Sequence, residues 1–127
     1  VGILTSGTTV SRLPGGSHSY SGLIIVGIDD MEVGDVFNFS ANFNTSKASM
    51  TGSTGKYFAS ANDIDIDTRT GSFSTDTAII GEKNSTFTID AELLGAFAGT
   101  NAGGVHGILY PKLDNASSGF AVFLGER

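Results

Sequence analysis

The chain has 127 residues, no cysteine and a formal net charge of −6. This length fits one domain that can bury a core of its own, and the lack of thiols excludes disulfides, zinc–thiolate sites and cysteine nucleophiles. The acidic balance, with seven scattered Lys and Arg residues, argues against a nucleic-acid partner, because phosphate binding needs a concentrated basic patch.

The composition favours an all-β domain. Gly, Ser, Thr and Asn are abundant, and the usual helix formers are scarce. No apolar run reaches the about eighteen residues that a membrane helix needs, so we predict no transmembrane segment. The chain begins without Met or a signal peptide, as is typical of a mature protein or an excised domain, and an upstream lipid anchor stays an open alternative.

Two units, an arm and a single domain, are expected along the chain. Residues 1–19 predict an extended N-terminal arm that is broken at Pro14-Gly15-Gly16, and residues 20–127 predict a β-barrel domain. Strict alternation of apolar and polar residues marks the second unit, as in VFNFSANF at 36–43 and DIDIDT at 63–68. In TFTIDAELLGAF at 86–97, one face collects five apolar residues: Phe87, Ile89, Ala91, Leu93 and Phe97.

Turn signals separate these runs and predict about eight strands. The predicted strands span 20–28, 35–44, 47–53, 57–67, 71–80, 85–98, 104–111 and 118–125. Closing eight sequential antiparallel strands into an up-and-down barrel removes both sheet edges. The inward Phe residues predict a filled barrel, and a two-sheet sandwich is the competing architecture.

The stretch GAFAGTNAGGVHG at 95–107 is unusually rich in glycine. It leads into a strand rather than a helix, which disfavours a phosphate-binding loop. We therefore predict structural glycines, at bends or tight turns near the barrel rim, in Gly95, Gly99, Gly103 and Gly104.

The same region resembles the β-barrel domain of transferrin-binding protein B. In that family a strand ends in Phe-x-Gly, a loop carries Ala, a Gly-Gly pair opens the next strand, and the final strand closes with Val-Phe-Gly and a basic residue. The matching positions are Phe97, Gly99, Ala102, Gly103, Gly104, Val122, Phe123 and Gly125. The hairpin at 37–53 is also similar, whereas the loop at 99–104 is shorter and Leu124 interrupts the closing motif.

This resemblance implies a non-enzymatic binding barrel, exported to the surface or medium of a Gram-negative bacterium. It further implies a role in iron or haem acquisition, with haem or a host or surface protein as the partner and no required cofactor. The loops at one rim would make the contacts while the barrel serves as a scaffold. A self-associating structural or adhesive module is the alternative from a different class, and an enzyme is a third.

His106 and Tyr110 are the candidate ligand-binding residues, since they share one face of a predicted strand and could bind haem or a metal. The alternative is a rim histidine that contacts solvent. No metalloprotease, lipase or paired-histidine motif accompanies either His18 or His106, so no catalytic residue is assigned.

For two acidic clusters in the sequence, a structural interpretation is favoured over a functional one. Asp63, Asp65 and Asp67 fit the first positions of a calcium loop, but Thr68 stands where that loop needs Gly, so we expect a solvated strand face and no metal site. The cluster Asp29, Asp30, Glu32 and Asp35 could supply paired acids for glycoside hydrolysis, although a charged hairpin turn is the simpler interpretation.

The run GLIIVGI at 22–28 alternates least. An outward apolar row on a barrel needs a cover, which Ile3, Leu4, Val10 and Leu13 of the arm or a partner protein could provide. The predicted partner surface consists of Leu23, Ile24, Ile25 and Val26.

Overall fold

The computed structural model describes residues 13–112 and 119–127 of the chain. These residues form nine β-strands and one short 3-10 turn, Thr100–Ala102. The strands are β1 (Ser17–Gly27), β2 (Met31–Gly34), β3 (Val36–Asn42), β4 (Lys47–Ser53), β5 (Tyr57–Asp67), β6 (Ser72–Glu82), β7 (Thr88–Ala98), β8 (Gly104–Pro111) and β9 (Phe120–Glu126).

The strands close into an antiparallel barrel. Each strand from β3 to β8 pairs with the strand that follows it, and β9 pairs with one side of β1. On its other side, the first half of β1 pairs with β3 and the second half with β2. Strands β2 and β3 therefore follow one path interrupted at Asp35, giving eight barrel strands and one short extra strand. The predicted all-β up-and-down barrel is confirmed, and the sandwich alternative is wrong because the β1–β9 pairing joins the two edges.

Three strands, β4, β5 and β8, have the predicted bounds. Strand β1 begins three residues before its predicted start, β7 begins three residues after its own, and β2 was not predicted. Strand β1 begins at Ser17, so His18 and Ser19 belong to the barrel rather than to the predicted arm, where they pair with Ala41 and Ser40. These polar residues show no apolar alternation, and they belong to β1 because their backbone pairs with β3. Residues 1–12 of the predicted arm lie outside the described residues.

Strands β5 and β6 each contain one β-bulge. The register shifts between Ala48 and Met50 opposite β5, where Asp63 has φ 58°, and again between Thr75 and Ala78 within β6. Each bulge inserts an extra residue and so reverses the alternation. As a result Ala61 and Ile64 both face inward although three positions separate them.

Aromatic rings fill the barrel interior. Buried rings from five strands and one connecting segment contact one another, with centroids 4.8 Å apart for Phe39–Phe73 and 4.9 Å apart for Phe37–Phe123. The cluster consists of Tyr20, Phe37, Phe39, Phe43, Phe73, Phe97 and Phe123. Phe87 is not part of it: that side chain is exposed just before β7, so its predicted inward position is wrong. The filled interior follows the prediction from the inward Phe pattern.

The two barrel ends differ in chemistry. At one end, here called the clasped end, the β7–β8 connection covers the aromatic cluster, and its Ala102 is fully buried. At the other end, here called the acidic end, an open cleft of ≈ 390 Å³ lies between the β1–β2, β4–β5 and β6–β7 turns. Its lining consists of Asp29, Asp30, Lys56, Tyr57, Glu82 and Asn84.

Candidate interaction surface

The four predicted structural glycines do not share one role. Gly99 has φ 82°, a left-handed conformation that only glycine adopts without strain, and Gly103 ends the 3-10 turn. Gly104 opens β8, where an added Cβ would meet only ordinary contacts. Gly95 lies in the middle of β7 rather than at the rim. A Cβ there would lie 2.4 Å from the Phe73 ring, so close packing of an aromatic side chain explains this glycine.

His106 faces outward from β8 but is only 7% exposed. It stands between Ala96 of β7 and Leu124 of β9. Its Nε2 atom has less than 1 Å² of accessible area and no hydrogen-bond partner among the described residues. Burial lowers the pKa of His106 below its ordinary value. The ring is therefore neither a solvated rim histidine nor an accessible ligand.

Tyr110 lies four residues beyond His106 on the same face of β8. At about 3.4 Å per residue, the two Cα atoms are about 14 Å apart. Side chains on one face of a strand stand roughly perpendicular to the sheet, so these two run side by side and do not converge on one metal atom. Aromatic rings occupy the interior that residues 13–112 and 119–127 enclose, so no alternative site is found inside this part of the chain. The residues present thus do not fit a haem group held jointly by His106 and Tyr110.

The outer wall of the barrel is divided into a polar part and an apolar part. Outward positions on β3, β4 and β5 are mostly Ser, Thr, Asn and Asp. On β2, β1, β9, β8 and β7, cross-strand pairs instead align one continuous apolar row: Val33, Ile25, Val122, Ile108 and Leu94. A second row runs beside it: Leu23, Leu124, His106 and Ala96. We call the apolar members of these two rows the apolar band.

Several side chains of the apolar band are open to solvent. Leu23 is 50% exposed, Val33 65%, Leu94 48% and Ile108 37%. Four inter-strand spacings of about 4.8 Å give the first row a length of about 19 Å. Contiguous apolar surface of this kind on a folded domain commonly marks an interaction site.

The predicted partner surface at 23–26 needs correction. Leu23 and Ile25 face outward and belong to the apolar band. Ile24 and Val26 are fully buried in the barrel core, because alternate residues of a strand point to opposite faces. Alternation also shows which residues of the other strands face outward. Which of these residues lie side by side depends on how the strands pair. Sequence reasoning missed Leu94, Ile108 and Val122, since the pairing that aligns them is not visible in the sequence.

The carboxylates at the acidic end make structural bonds. Glu32 accepts hydrogen bonds from the Thr54 hydroxyl (2.7 Å) and the Lys56 backbone N–H (2.8 Å), which hold the pKa of Glu32 below its ordinary value. Lys56 and then Tyr57 donate to Asp30 and lower the pKa of that carboxyl. Groups held ionised in this way are poor general acids, and the predicted alternative of paired glycosidase acids has no geometric support.

The aspartate run on β5 forms a surface ion cluster. Asp63 and Asp65 accept from the Lys47 ammonium at 3.0 and 2.5 Å. Asp67 caps its own turn by accepting from the Arg69 backbone N–H, which lowers the pKa of Asp67. Within residues 13–112 and 119–127, no three His, Asp or Glu side chains converge as a cation site, and no helix has the length and hydropathy to cross a membrane.

The described residues form a filled, closed antiparallel barrel with an apolar outer band. Among solved structures, its fold is that of the transferrin-binding protein B β-barrel domains. The isotype 1 protein from serogroup B Neisseria meningitidis matches with a TM-score of 0.63 and 19% identity over 95% of this chain and 28% of that one. A mutant of the Haemophilus parasuis Hp5 protein matches with a TM-score of 0.64 and 19% identity over 94% of this chain and 28% of that one.

The N-lobe domain of lactoferrin binding protein B from Moraxella bovis is also similar, with a TM-score of 0.59 and 21% identity over 91% of this chain and 60% of that one. The chain thus spans about a quarter of the length of the transferrin-binding proteins that it matches. No protein-family profile matches the sequence, and no curated protein matches it either. At these identities the likeness concerns the fold.

Proposed function

We propose that this chain is a non-enzymatic binding barrel that acts outside a Gram-negative bacterium and contacts a host or surface protein, in the service of iron acquisition. The fold likeness to transferrin- and lactoferrin-binding proteins supports the class of function. One of the similar proteins is described as a vaccine antigen, which suits a protein displayed at the cell surface.

The filled interior carries the proposal. Rings from Phe39, Phe73 and Phe97 occupy the space that a hollow barrel would give to a ligand. Recognition must then use the outer wall or the end loops. The apolar band is the part of the described wall where exposed Leu, Ile and Val side chains adjoin across five strands, so it is the expected contact surface.

Binding to transferrin and lactoferrin, in iron-loaded and iron-free forms, tests the proposal by biolayer interferometry. Ile108→Lys places a charge in the centre of the apolar band, and Ser49→Lys places the same charge on the polar wall of β4. We expect wild-type binding to weaken at least tenfold in Ile108→Lys and to persist in Ser49→Lys. Equal affinities for the two variants would contradict the role of the band, and no wild-type binding to any probe would contradict the iron-protein class.

Haemin serves as the probe for the haem alternative. Because His106 is buried on the outer wall and Tyr110 lies far along the strand, we expect no saturable change in the Soret band. A saturable shift at one equivalent that disappears in His106→Ala would replace the protein partner with haem.

The same band supports a second candidate, a self-associating surface module. The polar wall carries the Asp63–Asp65 pair, and the chain is acidic overall, so two copies can approach with least repulsion through their uncharged bands. A convex band about 19 Å long buries less than the ~800 Å² per partner of a standard interface. Reversible dimerisation is therefore expected. Sedimentation velocity at rising concentration would show a dimer that Ile108→Lys abolishes, and a strict monomer would eliminate this candidate.

A further inference from the structure

The β7–β8 connection forms a lid over the clasped end of the barrel. Asn101 and Ala102 both adopt left-handed backbone conformations, with φ 54° and 53°, next to Gly99 at φ 82°. Such conformations are unfavourable for residues other than glycine and persist only when the surroundings enforce them. Ala102 is fully buried, so the lid presses one methyl group against the interior.

Three successive carbonyl groups of this lid accept hydrogen bonds from outside it. The Arg127 guanidinium donates to Asn101 O at 2.6 Å, the Tyr20 hydroxyl donates to Ala102 O at 2.6 Å, and the Arg127 backbone N–H donates to Gly103 O at 3.0 Å. Arg127 thus supplies two of the three bonds. The strained turn is held mainly by this one residue after β9.

His18 in turn positions Arg127. Its Nε2 lies 2.9 Å from Gly15 O, and because a carbonyl only accepts, Nε2 carries the proton. Its Nδ1 lies 3.2 Å from the Arg127 guanidinium, which only donates, so Nδ1 must be unprotonated. Both contacts together require a neutral imidazole. The ring also packs on Phe43, with centroids 5.7 Å apart, which limits its freedom to turn away.

We propose that His18 and Arg127 form a pH-sensitive clasp that keeps the lid closed. Protonation of His18 fills the Nδ1 lone pair that accepts from Arg127 and places two cations in contact. Arg127 is then driven from Asn101, and the strained lid loses the bonds that enforce it. Histidine is the side chain whose ordinary charge change falls between about pH 5 and 8, so the clasp is tested across that range. This inference does not depend on the proposed function.

The other charged groups around His18 do not offset this repulsion. Lys47 of β4 and Asp63 of β5 border the same surface cleft as His18, and they bind each other at 3.0 Å. Tyr20, the next inward residue of β1, donates to the lid and stays a neutral phenol, since burial raises its pKa. Arg127 is thus the described charge in direct contact with the ring.

Amide hydrogen exchange of the full chain tests the clasp. The Gly103 and Arg127 amides donate within the lid, to Thr100 O and Gly103 O, and report its closure. Between about pH 7.5 and 5.5, after correction for intrinsic rates, we expect their protection to fall about tenfold in wild type. His18→Gln keeps one donor and one acceptor without titrating, so its protection should stay constant. Tyr20→Phe is the control, because it removes a hydrogen bond to the lid and leaves His18 in place. Relative to wild type, it should lower protection by the same factor at both pH values.

Two results would overturn the clasp: constant protection in wild type, or an equal loss in His18→Gln. The wild-type protein alone gives an independent check that needs no folded variant. Long-range proton–nitrogen NMR correlation at neutral pH should show the His18 proton on Nε2, and a proton on Nδ1 would rule out the Arg127 bond.

Discussion

Phe39 of β3 and Phe73 of β6 place their ring centroids 4.8 Å apart, although these strands are not neighbours in the sheet. Contact between opposite walls leaves no ligand-sized space between them. The barrel is therefore a packed core wrapped in one sheet, and the contact surface that we propose lies on its outer wall. Four aromatic rings contact Phe39: Tyr20, Phe73, Phe97 and Phe123.

Phe39→Ala should destabilise the fold more than any surface change. Removing a fully buried ring that contacts four others leaves a cavity, which typically costs about 3–5 kcal/mol in the free energy of unfolding. Ser40→Ala, the exposed neighbour on the same strand, should stay within about 0.5 kcal/mol of wild type. Urea unfolding of the three proteins measures both values, and similar midpoints for Phe39→Ala and wild type would contradict the packed interior.

Gly95→Ala and Gly104→Ala should differ although both glycines come from the same sequence stretch. A Cβ on Gly95 would lie 2.4 Å from the Phe73 ring and 2.5 Å from His106 O, so the core must shift, at a typical cost of about 1–3 kcal/mol. At Gly104 the nearest atoms are 3.6 Å away, so the methyl group fits. Thermal unfolding ranks the pair, and equal melting temperatures would show that Gly95 has no packing role.

Glu32→Gln should flatten the loss of stability in acid. The Thr54 hydroxyl and the Lys56 N–H lower the pKa of Glu32 in the folded state. Its stabilising contribution is thus present above the unfolded-state pKa of about 4.3 and is lost as the pH falls through the lower folded-state pKa. The free energy of unfolding measured from pH 6 to 3 should have a smaller slope in the variant. Asp76→Asn, at an exposed carboxylate, is the control and should retain the wild-type slope.

His106→Leu should be as stable as wild type, or more so, at neutral pH. The substitution removes a buried Nε2 atom without a hydrogen-bond partner among the described residues, and burial lowers the pKa of this ring. Below about pH 6.5, His106 binds a proton in the unfolded chain that the buried ring does not bind in the folded state. The free energy of unfolding of wild type therefore falls as the pH drops. The variant should lose this part of the pH dependence between pH 7 and 5. His18→Gln, which leaves His106 in place, serves as the comparison, and a His106→Leu variant as acid-sensitive as wild type would contradict the prediction.

Alternation in the sequence was sufficient to predict the barrel and much of its interior. Inward Phe37 and Phe39, and the bounds of β4, β5 and β8, follow from a period of two and from turn residues. The bulges could not be predicted in this way. An inserted residue at Asn62–Asp63 reverses the phase of β5, and only pairing with β4 reveals where that residue stands.

The surface was less accessible to sequence reasoning than the core. The apolar band joins residues from five strands, and no single strand displays more than two of its members. His106 was misjudged because its strand position indicates an outward side chain, whereas its burial depends on packing beyond its own strand. The clasp links His18, Asn101 and Arg127, which are distant in sequence and share no motif.

The contact surface itself is best tested by methyl NMR of the chain titrated with transferrin or lactoferrin. Methyl signals of Leu94, Ile108 and Leu124 in the apolar band should shift or broaden first, whereas Ile64 in the interior and Ile79 on β6 should remain unchanged. That outcome would place the partner on the outer wall of β7, β8 and β9. Changes confined to Ile79, or to the turns of the acidic end, with the band signals unaltered, would contradict the account.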